Sequence, residues 1–133
     1  MAVFVDGQCA WTGEMPPLEL YDWLRAYGPV YDRQRGKWGV VVVEEFRLYP
    51  AHAKAQAWSS FGTVEVIGVL KEWCRREGIP IVLQPASIKR PTTAILKSHG
   101  TTMMSRGNGG HAKDAELHGW HYILKQKTGG GGE

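Results

Sequence analysis

The chain has 133 residues, enough to bury a single core of ordinary size, so one domain is expected over residues 1–125. With 43% hydrophobic and 22% charged residues and six tryptophans, the composition excludes a disordered or fibrous protein and fits a globular one. A net charge of +3 and a pI near 9.0 suit a polyanionic partner without requiring one.

No apolar run approaches the roughly 20 residues that span a bilayer, and no charged segment followed by an apolar one opens the chain as a secretory signal would. A cytoplasmic protein without membrane association is therefore expected. Cys9 and Cys74 stand in unrelated contexts without metal-ligand spacing, which suits reduced core thiols. The glycine-rich end, residues 126–133, is expected to form a disordered tail.

In chain order, AVFV and CAWTGEM flank DGQ, and the Asp6-Gly7 pair is of the kind that turns a hairpin, which predicts two antiparallel strands. Pro16 and Pro17 then open a helix, LELYDWLRAYG, with Leu18, Tyr21 and Leu24 at helical spacing and Gly28 with Pro29 closing it. A basic connection, YDRQRGKWG, leads into VVVVEEF, a β-branched run so continuous that it predicts a central, buried strand. Residues 53–77 turn helical again, with Val64, Ile67, Leu70 and Cys74 on one stripe, Gly78 as the stop and SSFG as a place for a bend. IPIVLQP reads as a short buried strand, residues 86–110 as an irregular stretch rich in Gly, Ser and Thr, and residues 110–125 as a final helix. A hairpin followed by strands alternating with helices points to an α/β fold with a mixed sheet.

Charge is unevenly placed. After Glu77 no acidic residue occurs until Asp114, while Lys89, Arg90, Lys97, Arg106 and Lys113 fall in between. A solvated basic loop and a phosphate-tracking surface both fit; the Ser, Thr and Gly residues mixed in add donors for phosphate oxygens. At the end of VVVVEEF, Glu44 and Glu45 alternate in direction, so that one is expected to face a site, since burying a carboxylate is costly unless a cation or hydrogen bonds compensate it. The stretch HAKDAELHGWH gathers three histidines around two carboxylates. His111, Asp114 and His118 follow at spacings of three and four on one helix face, with Glu116 and His121 read as lying off it. An imidazole beside a carboxylate suits a divalent cation; a solvated polar face is the alternative.

In combination, the strand glutamate, the basic segment and the H-x-x-D-A opening of the last helix resemble the RuvC-type Holliday junction resolvases carried by actinobacterial phages. The matching runs are VVVEEFRLYP with KAQAWSSFGTVEVIGVL after it, IPIVLQPASIKRPTTAILK, and HAKDAELHGWHYIL, which together cover most of residues 41–124. The resemblance implies an RNase H-like fold, a mixed β-sheet flanked by helices. By position, Glu44 matches the family's strand glutamate, Asp114 its helix aspartate, and His111 the residue one turn earlier, which is His or Asp among relatives. Lys89 matches its basic residue after the fifth strand. The resemblance further implies a homodimer acting in the host cytoplasm on branched DNA, whether Holliday junction, fork or flap.

One departure is plain. Such enzymes begin with a strand carrying an aspartate in a sequence like I-D-P-G-x-x-T-G-W, which is missing here. AVFV and CAWTGEM align better with the second and third strands, so that the first strand is expected to be absent or degenerate; the alternative gives its role to Asp6. The chemistry implied is phosphodiester hydrolysis with two Mg²⁺ ions about 3.5–4 Å apart, Mn²⁺ being a substitute. Glu44 and Asp114 would hold the metals, His111 would act as ligand or positioner of the attacking water, and Lys89, Arg90, Lys97, Arg106 and Lys113 would bind the DNA backbone. The competing expectation is a DNA-binding relative that has lost turnover with the first aspartate.

Overall fold

The computed structural model describes residues 1–26, 39–45, 61–106 and 110–130. The chain is mixed α/β, and by its contacts it divides into two compact units. One is continuous, Pro16–Leu83; the other joins Met1–Met15 to Gln84–Glu133. Each unit carries its own apolar cluster.

The split unit begins with a hairpin of β1 (Ala2–Val5) and β2 (Gln8–Thr12). Asp6 and Gly7 both take positive φ, 53° and 77°, as a two-residue turn matched to strand twist demands. The register pairs Ala2 with Thr12 and Val3 with Trp11, then slips by one between Val3 and Phe4, so that Phe4 faces Cys9. This bulge sharpens the local twist. The open end is closed by Gly13 N–H donating to the Met1 carbonyl and the Met1 ammonium donating to the Gly13 carbonyl.

In the continuous unit, α1 (Pro17–Ala26) starts with proline at its first position, where the missing N–H is of no consequence. Its buried side is Leu24 with Leu20 and Trp23, whereas Leu18 is exposed: the apolar stripe runs one step round from the one expected. Gly28 and Pro29, residues 31–38 of the basic connection, and Ser59 and Ser60 of the SSFG stretch lie outside the described residues. The next strand, β3 (Val41–Glu44), is half-buried along its length and pairs with β4 (Ile81–Gln84). Leu83 is exposed, so β4 is not the fully buried strand that its apolar run suggested. Of the helix expected over residues 53–77, the described part is α2 (Phe61–Glu77). Its C-terminal half supplies Leu70, Trp73 and Cys74 to the cluster with Leu24, Val41, Ile79 and Ile81; Val64 is exposed. Gly78 at φ 70° closes the helix as a left-handed cap, with Ile79 N–H reaching back to the Cys74 carbonyl and the Ile79 side chain buried beside it. Among the described residues the strands thus pair two by two.

After β4 the chain makes a 3-10 turn at Ala86–Ile88 and enters α3 (Lys89–Ser98). This helix replaces the irregular segment expected there. Pro91 sits in its first turn, where proline is tolerated, and Thr92 and Leu96, one turn apart, are both buried. Burial of that pair outweighs the modest helix propensity of the two threonines. Gly100, at φ 68°, ends the helix with Thr101 N–H on the Leu96 carbonyl. The last helix, α4 (Gly110–Gly130), runs past the expected end at residue 125 and into the stretch expected to be a tail; residues 131–133 lie outside the described residues.

Leu96, Leu117 and Trp120 form the second cluster, joined by Phe4, Cys9, Met103 and Leu124. Phe4 meets Trp120 edge-on, with ring centroids 5.2 Å apart and planes at 89°, a geometry that adds about 0.5–1.5 kcal/mol to the burial itself. The hairpin approaches α4 so closely that the Phe4 ring occupies the place of a Cβ on Gly119. Any side chain at 119 would force the Phe4 ring to move. No described helix is long and apolar enough to cross a membrane.

Candidate functional site

The expected site residues divide between the two units. Glu44 and Glu45 are half-buried at the end of β3 in the continuous unit. Lys89, Arg90, Lys97, Arg106, His111, Lys113 and Asp114 all belong to the other unit, as does Asp6 in the hairpin turn.

Three polar contacts join α4 to the segment running from β4 into α3. Lys89 Nζ lies 3.3 Å from Asp114 Oδ2, Gln84 Nε2 lies 3.0 Å from His118 Nδ1, and Thr92 Oγ1 lies 3.4 Å from His121 Nδ1. The helix partners follow at i, i+4 and i+7, one stripe of an α-helix. His121 therefore shares the face of Asp114 and His118, correcting the expectation that it lies off it. That spacing is legible in HAKDAELHGWH itself.

His118 is not an open ligand position on this face. It is buried, and Gln84 Nε2 also donates to the His118 carbonyl at 3.0 Å. One amide nitrogen thus reaches both the His118 carbonyl and its ring, the second contact being a hydrogen bond in the tautomer whose Nδ1 accepts. His121 is held below the usual histidine range, first by burial and then by the positive fields of Lys125 and His118.

Asp114 stands at the outer end of the stripe, with its side chain 41% exposed and that of Lys89 27%. Both border an open groove of about 400 Å³ between the first turns of α3 and α4, whose lining also includes Arg90, Thr93, Lys113 and Leu117. Three cations against one carboxylate give the groove a positive balance. Lys97, in the last turn of α3, and Arg106, in the turn before α4, are exposed but stand outside this lining. His111 is exposed one turn before Asp114. Its backbone N–H, with that of Ala112, donates to Glu14 Oε1 at 2.9 and 3.2 Å. A glutamate from the chain just beyond the hairpin thereby caps the helix carrying His111 and Asp114, satisfying donors left orphaned at its start and complementing its dipole.

Glu116 is the largest fully buried side chain among the described residues and faces away from the groove. Its Oε1 accepts the Ser105 N–H at 2.7 Å, and Oε2 accepts the Met104 N–H at 3.0 Å and the Trp120 Nε1–H at 2.8 Å. Three donors on one carboxylate compensate its removal from water and tie the turn carrying Arg106 onto α4. Its negative charge, after burial, helps push the Cys9 thiol up to about 11, making Cys9 a poor nucleophile. In sequence Glu116 is indistinguishable from a solvated helix glutamate, apart from Trp120 one turn on.

Among the described residues no three His, Cys, Asp or Glu side chains converge. No family model, curated protein or solved structure matches the chain.

Proposed function

We propose that the chain is a RuvC-like, metal-dependent endodeoxyribonuclease with an RNase H-like arrangement of its elements, nicking Holliday junctions, forks or flaps as a cytoplasmic homodimer. The observation that carries this reading is the groove at α3 and α4, where the partly exposed Asp114 carboxylate stands beside Lys89, Arg90 and Lys113. A carboxylate amid cations is an arrangement suited to a phosphodiester: the cations hold the backbone without reading bases, and the carboxylate offers a hard oxygen to a divalent ion.

The donor chemistry fits Mg²⁺, which is held by one or two carboxylates with water and substrate phosphates making up the rest of its shell. Asp114 would be one of these and Glu44 the other, by the position each holds in the resemblance. The metal would activate water and stabilise the anionic transition state. His111, exposed one turn before Asp114, would orient the water, and the Glu14 cap fixes the turn on which both stand. Lys97 and Arg106, both exposed, would add contacts to the DNA backbone outside the groove.

The second reading, a DNA-binding relative without turnover, draws support from the Lys89–Asp114 ion pair, which ties the carboxylate to a protein cation. The test incubates the purified chain with Mg²⁺ or Mn²⁺ and labelled four-way junction, fork, flap and linear duplex in parallel. Cleavage of the branched species, abolished by Glu44→Gln and by Asp114→Asn while junction binding survives, is the result expected. Nicking retained by Asp114→Asn rules out the proposed site, and binding without cleavage by the unaltered chain establishes the second reading.

A further inference from the structure

We infer that the groove continues along α3 as a track for the sugar-phosphate backbone of a duplex arm, with Arg90 and Lys97 as its phosphate contacts and the short side chains of Thr93 and Ala94 setting how closely the strand approaches. The inference rests on the DNA-binding part of the nuclease reading and adds the path that the strand takes. Of α3 only Thr92 and Leu96 are buried. Arg90, Thr93, Ala94 and Lys97 are exposed and recur at i, i+3, i+4 and i+7, one stripe on the side turned away from the buried pair. Arg90, Thr93 and Ala94 belong to the lining of the groove, and Lys97 continues their stripe beyond it.

The chemistry of the stripe selects its occupant. α3 carries no acidic residue, and the carboxylate in the groove lining, Asp114, already has the Lys89 ammonium 3.3 Å away. No ion pair among the described residues engages Arg90 or Lys97. The two stand seven residues apart, about 10 Å along the helix axis, so that they meet two phosphates rather than one. Between them nothing long projects: Ala94 ends at its methyl group, and the Thr93 hydroxyl donates back to the Lys89 carbonyl at 2.8 Å, which leaves it no hydrogen for a base edge. Cations at both ends and short side chains between them suit backbone contact rather than the reading of bases. The same charge disfavours an apolar protein partner, since the core of a protein interface is depleted in charged residues.

The experiment measures binding of the full chain to a labelled four-way junction and a linear duplex by fluorescence anisotropy, in the absence of divalent ions so that neither cleavage nor a metal site takes part. Ala94→Glu sets a carboxylate between Arg90 and Lys97, where it also pairs with both, at little cost in helix propensity. Ala94→Gln adds the bulk without the charge, Val64→Glu makes the same change of charge at an exposed position of α2, and circular dichroism confirms that each variant is folded. Ala94→Glu is expected to weaken binding about tenfold, Ala94→Gln about two- to threefold and Val64→Glu less than about twofold, while Lys97→Gln lowers the salt slope by about one. Equal losses in Ala94→Glu and Val64→Glu, or an unchanged slope in Lys97→Gln, overturn the track and leave DNA binding by the chain standing. A dimer that sedimentation finds in the unaltered chain and not in Ala94→Glu assigns the stripe to a second copy and also overturns it. Failure of the unaltered chain to bind either DNA at low salt overturns the track and the nuclease reading together.

Discussion

Replacing Glu116 separates what its charge does from what its shape does. In Glu116→Ala, Met104 N–H, Ser105 N–H and Trp120 Nε1–H lose their shared acceptor together, and each stranded donor costs about 1–3 kcal/mol. Partial rehydration of the loop makes these costs less than additive, and the expected loss is about 3–5 kcal/mol. Glu116→Gln keeps the volume but only one oxygen. Placed where Oε2 was, that oxygen retains two donors, and the amide nitrogen then meets the Ser105 N–H donor to donor, a loss of about 1–3 kcal/mol. Urea unfolding followed by circular dichroism measures both, and a thermal scan should fall by about 4 °C for each kcal/mol. Amide hydrogen exchange at Met104 and Ser105 should quicken in the same order, Gln before Ala, because the turn loosens locally as well as globally. An alanine variant destabilised by less than about 1 kcal/mol would refute the view that this carboxylate holds the turn to α4.

Gly119→Ala places a methyl group in the Phe4 ring, and overpacking of about 1–3 kcal/mol should outweigh the roughly 1 kcal/mol gain in helix propensity; Phe4→Leu in the same chain should recover part of the loss, by urea denaturation. Glu14→Ala removes the cap of α4 and should cost about 0.5–2 kcal/mol, with faster exchange confined to the amides of His111 and Ala112; Glu14→Gln, which keeps an acceptor, should retain most of it. Because the folded-state pKa of His121 lies below its unfolded value, near 6.5, its contribution to stability is present above that value and lost as pH falls through the folded pKa. Comparing stability over pH 7.5 to about 5 in the unaltered chain and His121→Gln should show a shallower decline in the variant. Equal slopes would dismiss His121 as a contributor.

The elements most legible in the sequence are those whose signal is local. Asp6-Gly7 turns its hairpin, Pro17 opens α1 and Gly78 closes α2, each because a backbone conformation there demands that residue type. What could not be read was set by partners distant in the chain. The helix α3 is stabilised through Thr92 and Leu96, whose burial depends on a cluster drawn from α4 and the hairpin. Leu18 shares the spacing of Leu24 and is nonetheless exposed, since periodicity fixes a stripe only to within a neighbouring residue. At the candidate site the sequence brought Lys89 and Asp114 to notice as separate features, cation and ligand. Their ion pair, and the burial of His118 against Gln84, are facts of packing that neither residue type announces.

The hairpin that packs on α4 belongs to the opposite end of the polypeptide. Glu14 and His111, which meet at the helix start, are 97 positions apart, and the whole of Pro16–Leu83 is threaded between. During synthesis the continuous unit therefore has all its own parts available well before the hairpin has anything to dock against. Joining the ends carries the loop-closure entropy of a long intervening chain, although that cost is the smaller once the middle has collapsed and shortened the effective loop. The hairpin meanwhile emerges from the ribosome with unpaired strand edges and its Phe4 uncovered, the condition in which nascent strands pair wrongly. The hairpin can therefore dock only after α4 has been made, and a ribosome-stalled chain that withholds α4 should leave Phe4 accessible while the cluster of Leu24, Trp73, Cys74 and Ile79 is already protected.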